Sequence, residues 1–217
     1  MGRRTNNVHP VSGFSDDGRW WWDGTTWVAT PQVVLPQLPP TEFEQSGQLN
    51  KMRDRRSKGR WLFWTFGLGF GLPAFLQSPS PDILPYARDY RLWTLEQLAL
   101  ATTYLLGPDE PMLAGETSIY DVGDSWTRGL AVAVTAARVV VFRIDSVDGQ
   151  PRWIVLVGRP TDVNIEARSA VFGFLWPALK VSGWNGQWTI RGQPGMFKPE
   201  PVLDGWRQAV KGTGRTA

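Results

Sequence analysis

The chain has no cysteine and a single histidine, His9. Without cysteine there are no disulfides, thiolate metal sites or thiol nucleophiles, and the redox compartment stays undetermined. With one imidazole there is no histidine metal cluster, and His9 lies beside Pro10 in a polar N-terminal arm, where it reads as a solvated tail residue. An early apolar stretch of the secretory kind is lacking, so no signal peptide is read. Gly2 is not read as a myristoylation site, because Asn6 stands where that signal needs Ser or Thr.

The remaining residues offer little catalytic chemistry. Ser125, in GDSWTRG, has no histidine placed to activate it. Asp16, Asp17 and Asp23 lack the twelve-position calcium-loop pattern with its terminal Glu, and the two Asp-Gly pairs explain Asp17 and Asp23 as turn residues. Asp109, Glu110 and Glu116 have no partner base or metal set and read as solvated residues around a turn. The run GLGFGL (67–72) does not follow a strand and has no Lys-Ser/Thr, so it is not a phosphate loop. The expectation is a non-enzyme with no catalytic residue, no cofactor and no bound metal.

What is present is an uneven charge and an uneven spread of tryptophan. Residues 61–217 carry fourteen basic and fourteen acidic side chains, so the net charge of +3 resides in residues 1–60. Most of it lies in KMRDRRSKGR, where Lys51, Arg53, Arg55, Arg56, Lys58 and Arg60 face only Asp54. This collar abuts WLFWTFGLGFGLPAFL (61–76), which has no charge and no polar face. As a helix those residues would reach about 24 Å against a hydrocarbon core of roughly 30 Å, and flanking residues to about 80 would close the gap. Trp61, Trp64, Phe66, Phe70 and Leu72 are the expected anchor side chains, with Trp61 and Trp64 suited to the interface. An in-plane or re-entrant anchor and a buried soluble helix are the alternatives. The collar is expected to contact anionic lipid, at roughly 1 kcal/mol per cation near the surface; the other reading is a solvated linker. Nucleic acid is not expected as a partner, because the cations are not spread over a folded face.

The stretch GRWWWDGTTWV (18–28) holds four of thirteen Trp residues. Asp17-Gly18 and Asp23-Gly24 predict two hairpin loops and a three-stranded meander over about 12–16, 19–22 and 25–29. With an Asp23-Gly24 loop, Trp20 pairs with Trp27 and Trp22 with Thr25. Period two puts Trp20, Trp22 and Trp27 on one face and Trp21 on the other. Three roles are open for these rings: holding a very small module together, binding a partner, and contacting a membrane interface. Trp21, alone on its face, is the candidate partner contact. Residues 31–50 are Pro-rich and then polar and read as a linker, with an intramolecular contact between the prolines and the aromatic sheet as the alternative.

Beyond residue 80 the pattern is that of one domain. A helix is predicted at about 91–106, ended by Gly107-Pro108. Short strands follow at 111–120, in two parts of 128–144 hinged at Thr135–Ala137, and at 152–158, 161–169, 175–183 and 187–192, with a turn at Asn185-Gly186. An amphipathic helix over 201–212 closes the chain. Seven strands and a terminal helix predict a mainly β (α+β) fold, a strongly bent antiparallel barrel capped by that helix.

Two family resemblances attach to these residues. Over about 91–212 the order resembles the bacterial pleckstrin-homology-like domains: the entry LLGPDEPML (105–113), the hairpin VAVTAARVVVF (132–142) with Thr135 and Arg138 at its turn, then a Gly/Trp-bearing strand pair and a helix. Ala137-Arg138 stands where those domains usually carry Asp-Arg. The resemblance implies a scaffold for lipid, peptide or self-association. DGRWWWDGTTWVATP (17–31) resembles a short Trp-rich domain of unknown function that begins many actinobacterial membrane proteins. That likeness implies a cytoplasmic module ahead of a linker and a membrane segment.

The expected organisation is an arm (1–13), a Trp-rich meander (14–30), a Pro-rich then basic linker (31–60), an apolar anchor (61–80) and a pleckstrin-homology-like domain (91–212). The expected function is a non-enzymatic, membrane-associated adaptor that binds a protein, peptide or lipid through its pleckstrin-homology-like domain, with an anionic-lipid membrane and a protein or peptide as expected partners. The N-terminal module is expected to be cytoplasmic, with the side of the C-terminal domain open. The alternative is a soluble, self-associating protein that buries its apolar segment in its own fold or in a homo-oligomer interface.

Overall fold

The computed structural model describes residues 13–40, 45, 84–118, 129–145, 150–169, 177–192 and 197–213. The strands are β1 (Gly13–Phe14), β2 (Trp20–Trp22), β3 (Trp27–Ala29), β4 (Ala114–Thr117), β5 (Leu130–Val134), β6 (Val139–Ile144), β7 (Pro151–Gly158), β8 (Asn164–Ser169), β9 (Pro177–Gly183) and β10 (Gly186–Arg191). The helices are α1 (Leu84–Leu106) and α2 (Pro199–Thr213), with a single 3-10 turn at Thr30–Gln32. The fold is mainly β, with three antiparallel sheets ordered β1-β2-β3, β4-β5-β6-β7 and β10-β9-β8.

The expected barrel does not close among the described residues: β4–β7 and β8–β10 are separate ladders. The reason lies in what fills the space between them. Helix α2 packs on β4, β5, β8 and β9, so side chains complete the core where a barrel would use a further ladder. Val202 and Ala209 of α2 are buried with Val132, Val134, Val139, Val141, Leu156, Ile165, Leu179, Val181 and Ile190. The outward face of β8–β10 is largely polar, with Lys180 between Glu166 and Thr189, and Arg168 and Arg191 flanking Ala178, as expected of an antiparallel sheet with one wet face.

The four-stranded sheet is buried on both faces, which explains why LAVAV, VVVF and IVLV read as apolar runs without alternation. On its second face Ala131, Ala133, Val140, Phe142, Ile154 and Val157 form a separate buried cluster. A bulge in β7 allows this. Val141 pairs with Leu156 and Phe142 with Ile154, so one extra residue sits in β7, and Ile154 and Leu156 point to opposite cores despite their two-residue spacing.

Residues 13–38 and 98–213 belong to one compact unit, and residues 39–97 to another. In the first unit, the second face of the sheet is covered by Leu98, Ala101 and Leu105 of α1 and by Phe14, Val33, Leu35 and Leu38. Helix α1 begins seven residues before the predicted start, with Pro85 in its first turn, where a missing N–H costs nothing. It ends as predicted, with Gly107 at φ +89° donating its N–H to the Thr103 carbonyl at 2.8 Å. In the second unit, Trp93 is fully buried and the Thr94 hydroxyl donates to the Arg91 carbonyl at 2.9 Å.

Residues 33–38, read from composition as the start of a linker, are a structural strap. Val34 bridges Trp153, the Leu35 N–H donates to the Arg152 carbonyl at 2.7 Å, and the Ile154 N–H donates to the Val33 carbonyl at 3.4 Å. The Leu38 N–H donates to Gln150 Oε1 at 3.3 Å. The strap therefore covers the outer edge of β7, which would otherwise present unpaired backbone groups.

Candidate interaction surface

The meander is held at its loops by two aspartates. In the first hairpin Gly13 pairs with Trp22 and Phe14 with Trp21, and the Ser15 N–H donates to the Trp20 carbonyl at 2.9 Å. Asp17 accepts from the Ser15 hydroxyl at 2.6 Å and the Arg19 N–H at 3.1 Å. In the second hairpin Trp20 pairs with Ala29, Trp21 with Val28 and Trp22 with Trp27. The predicted register was two residues different, because Gly24-Thr25, not Asp23-Gly24, forms the loop. Asp23 stands one place earlier and binds the loop with its carboxylate: Oδ1 accepts from the Thr25 N–H, the Thr25 hydroxyl and the Thr26 N–H, each at 2.7 Å, and Oδ2 accepts from the Thr26 hydroxyl at 3.1 Å. Gly24 sits at φ +103°, where a side chain would be strained.

These hydrogen bonds act on the carboxylate. Donation from Thr26 and Thr25 lowers the Asp23 pKa to about 2, and the Ser15 hydroxyl with the Arg19 N–H lowers that of Asp17. A depressed folded-state pKa stabilises the loop at pH values above the unfolded carboxylate's, and that contribution is lost as pH falls through the folded value. In a carboxyl-carbon NMR titration Asp23 is expected to titrate near pH 2, with the Trp22 and Trp27 indole resonances moving at the same midpoint. A midpoint near 3.8 would show the loop bonds to be absent.

A register shift of two residues leaves every side chain on its face. Trp20, Trp22 and Trp27 therefore share one face, as predicted, and Trp22 and Trp27 meet with ring centroids 5.5 Å apart. The core lies on the other side. Trp21 is half-buried and packs with Val28 against the Phe14, Val33 and Phe142 cluster. The outward rings are Trp20 and Trp27, 48% and 52% exposed. Trp21, the residue singled out for partner contact, is thus placed inward, and its neighbours form the surface.

The meander docks closely on the sheet. Gly18 has φ +68°, and a Cβ there would lie 2.2 Å from the Val157 carbonyl oxygen. The Thr30 hydroxyl donates to the Gly18 carbonyl at 2.7 Å. Beyond the strap, the β9–β10 turn covers the same strand edge: Trp184 Nε1 donates to the Val157 carbonyl at 2.9 Å, and Asn185 Nδ2 donates to the Val155 carbonyl. The Arg19 guanidinium lies 5.5 Å from the Trp184 ring centroid, and Arg159 lies 3.5 Å from Asp16. That turn is Trp184-Asn185 rather than Asn185-Gly186, since Gly183 pairs with Gly186.

The chain matches no family model, no curated protein and no solved structure.

Glu110, Thr135 and Arg138, from the segments on which the resemblance of the C-terminal region rests, meet at one place. Thr135 Oγ1 donates to Glu110 Oε1 at 2.5 Å and accepts from the Arg138 N–H at 2.9 Å, while the Thr135 N–H donates to the Arg138 carbonyl at 2.8 Å. The Arg138 guanidinium lies 5.6 Å from the Phe14 ring centroid, so this hairpin also touches the meander. The roles seen are structural. Thr135→Val is expected to cost about 1–2 kcal/mol, read from the urea midpoint, by leaving the Arg138 N–H and Glu110 without their partner.

The other candidates of the sequence are also located. Glu116 is fully buried, not solvated, and its carboxylate accepts the Thr117 N–H at 3.3 Å and the Lys198 N–H at 3.1 Å. Asp109 and Asp16 are exposed. No group of acidic and histidine side chains among the described residues could hold a metal ion. Lys51, Arg53, Arg55, Arg56, Lys58 and Arg60, and Trp61, Trp64, Phe66, Phe70 and Leu72, lie outside the described residues, as do His9 and Ser125. Among the described residues no helix is long and apolar enough to cross a membrane. The residues missed by the sequence reading are Val33, Leu35 and Leu38; their signal is the apolar run Val33-Val34-Leu35 between Pro31 and Pro36, which composition alone hides.

Proposed function

We propose that the protein is a non-enzymatic, membrane-associated interaction protein: a pleckstrin-homology-like domain carrying an integral Trp-rich meander that presents a surface to a partner. The observation that carries the reading is the division of labour within the meander. Its core side is supplied by Phe14, Trp21 and Val28, so Trp20 and Trp27 are not needed inside and remain exposed. Large aromatic side chains left on a surface favour binding, since each offers a rigid, amphipathic contact area. The pleckstrin-homology-like reading is supported by the order of a four-strand meander, a three-strand meander and an amphipathic helix. Membrane association rests on the six cations of 51–60 adjoining the uncharged run 61–76.

Fractionation of cells that express the full chain tests this. The protein is expected in the membrane fraction at low salt and to be released by deletion of residues 61–76. Recovery of the intact chain in the soluble fraction without detergent would favour the soluble, self-associating alternative. Retention of the deletion variant on membranes would transfer the anchor to the collar.

A further inference from the structure

We propose that the outward face of the meander docks an extended, arginine-rich segment of a partner protein, with guanidinium groups lying on the Trp27 and Trp20 rings and pairing with Asp23. The inference rests on the reading of the protein as an interaction module and names the partner class for one surface.

The meander carries three carboxylates, Asp16, Asp17 and Asp23, against one cation, Arg19. Arg19 is already placed, 5.5 Å from the Trp184 ring centroid and 3.6 Å from Asp17. Asp16 has Arg159 at 3.5 Å. Asp23 has no basic side chain within ion-pairing distance among the described residues. Among the described residues its carboxylate accepts hydrogen bonds from Thr25 and Thr26 alone, and Oδ2, which accepts one of them, keeps acceptor capacity. Asp23 is therefore the one carboxylate of the meander without a cation among the described residues, which disfavours anionic headgroups and nucleic acid there and favours a cation.

Asp23 opens the loop that the Trp22–Trp27 pair closes, so a carboxylate without a basic partner among the described residues stands at the end of a tryptophan pair. A planar guanidinium satisfies both at once, stacking on an indole while donating to a carboxylate, which a compact ammonium does less well. The same chemistry is realised beside it, where Arg19 lies over Trp184 and reaches Asp17. The outward face is open at Trp20 and Trp27, so an extended chain can lay successive arginines along it.

The test is an indole NMR titration of the full chain with a peptide of alternating Arg and Gly, using a Glu and Gly peptide of equal length as control. The Arg peptide is expected to shift the Trp20, Trp22 and Trp27 indole resonances and to leave Trp206, whose Nε1 donates to the Pro160 carbonyl, unmoved. Affinity should fall with added salt. Asp23→Asn keeps the loop acceptor but removes the charge, and should weaken binding roughly three-fold with the other indole positions unchanged. Equal shifts with the Glu peptide, an affinity indifferent to Asp23→Asn, or silence at those three indoles would overturn the proposal. So would shifts of the same indoles with phosphatidylserine vesicles, which would make the occupant lipid, or with protein concentration alone, which would make it a second copy. Loss of membrane association in the fractionation leaves these readouts untouched, so the two ideas fail separately.

Discussion

Gly18→Ala is expected to separate the meander from the sheet it covers. Two effects add at this position. The backbone sits at φ +68°, where a side chain costs roughly 1–2 kcal/mol. The new Cβ would also lie 2.2 Å from the Val157 carbonyl oxygen and 2.7 Å from its carbon. Those are backbone atoms of β7 and cannot turn aside as a flexible side chain does. The first hairpin must move away, loosening the Thr30–Gly18 and Trp184–Val157 hydrogen bonds at the same contact. A loss of about 3 kcal/mol or more is expected, measured as a shifted urea midpoint with the Trp184 indole resonance displaced. Gly24→Ala provides the comparison. It is strained in the same sense, at φ +103°, but belongs to an exposed loop, so it should weaken the second hairpin and leave Trp184 in place.

Trp21→Ala carries the second large effect. Its ring joins Phe14 and Val28 over the cluster that contains Val140, Phe142 and Ile154. Truncation leaves a cavity between meander and sheet, and a cost of about 3 kcal/mol is expected, near the low end for an aromatic because the ring is half-buried. Trp21→Phe should be far milder. It keeps most of the apolar contact and removes an indole N–H that is buried without a hydrogen-bond partner among the described residues. Trp20→Ala and Trp27→Ala remove exposed rings and should each cost about 1 kcal/mol or less. If the exposed pair were the more costly to remove, the meander's inner and outer faces would have to be exchanged.

That ordering could not be read from the chain. Period two separated Trp21 from Trp20, Trp22 and Trp27 correctly, but a meander taken alone has no inside. Which face is covered depends on Val140, Phe142 and Ile154, more than a hundred residues away. The strand positions in the C-terminal domain were legible because β-branched runs there are bounded by Gly, Asp and Pro. The three-residue-scale details were not. Asp23 and Asn185 were read as loop residues beside glycine, yet Asp23 serves the loop from its first position and Asn185 uses its amide on the Val155 carbonyl. The strap was hidden for another reason. Prolines at 31, 36, 39 and 40 indicate a linker by composition, but proline tolerates an edge position, and Val33, Leu35 and Leu38 supply the apolar contacts between them. The two-sided burial of β5–β7 was written in their unbroken apolar runs, and those runs are the one sequence signal that a further layer had to exist.

The Trp-rich meander and its strap are a layer of the domain and not a module in series with it. An isolated three-stranded unit of this size would be marginal in water and would melt early and by itself. The most direct measurement is thermal unfolding of the full chain followed by indole NMR at two probes, Trp22 in the meander and Trp206 on α2. Coincident midpoints, shifted together by Trp21→Ala, are the predicted result. A Trp22 transition well below that of Trp206, with Trp206 indifferent to Trp21→Ala, would contradict the claim.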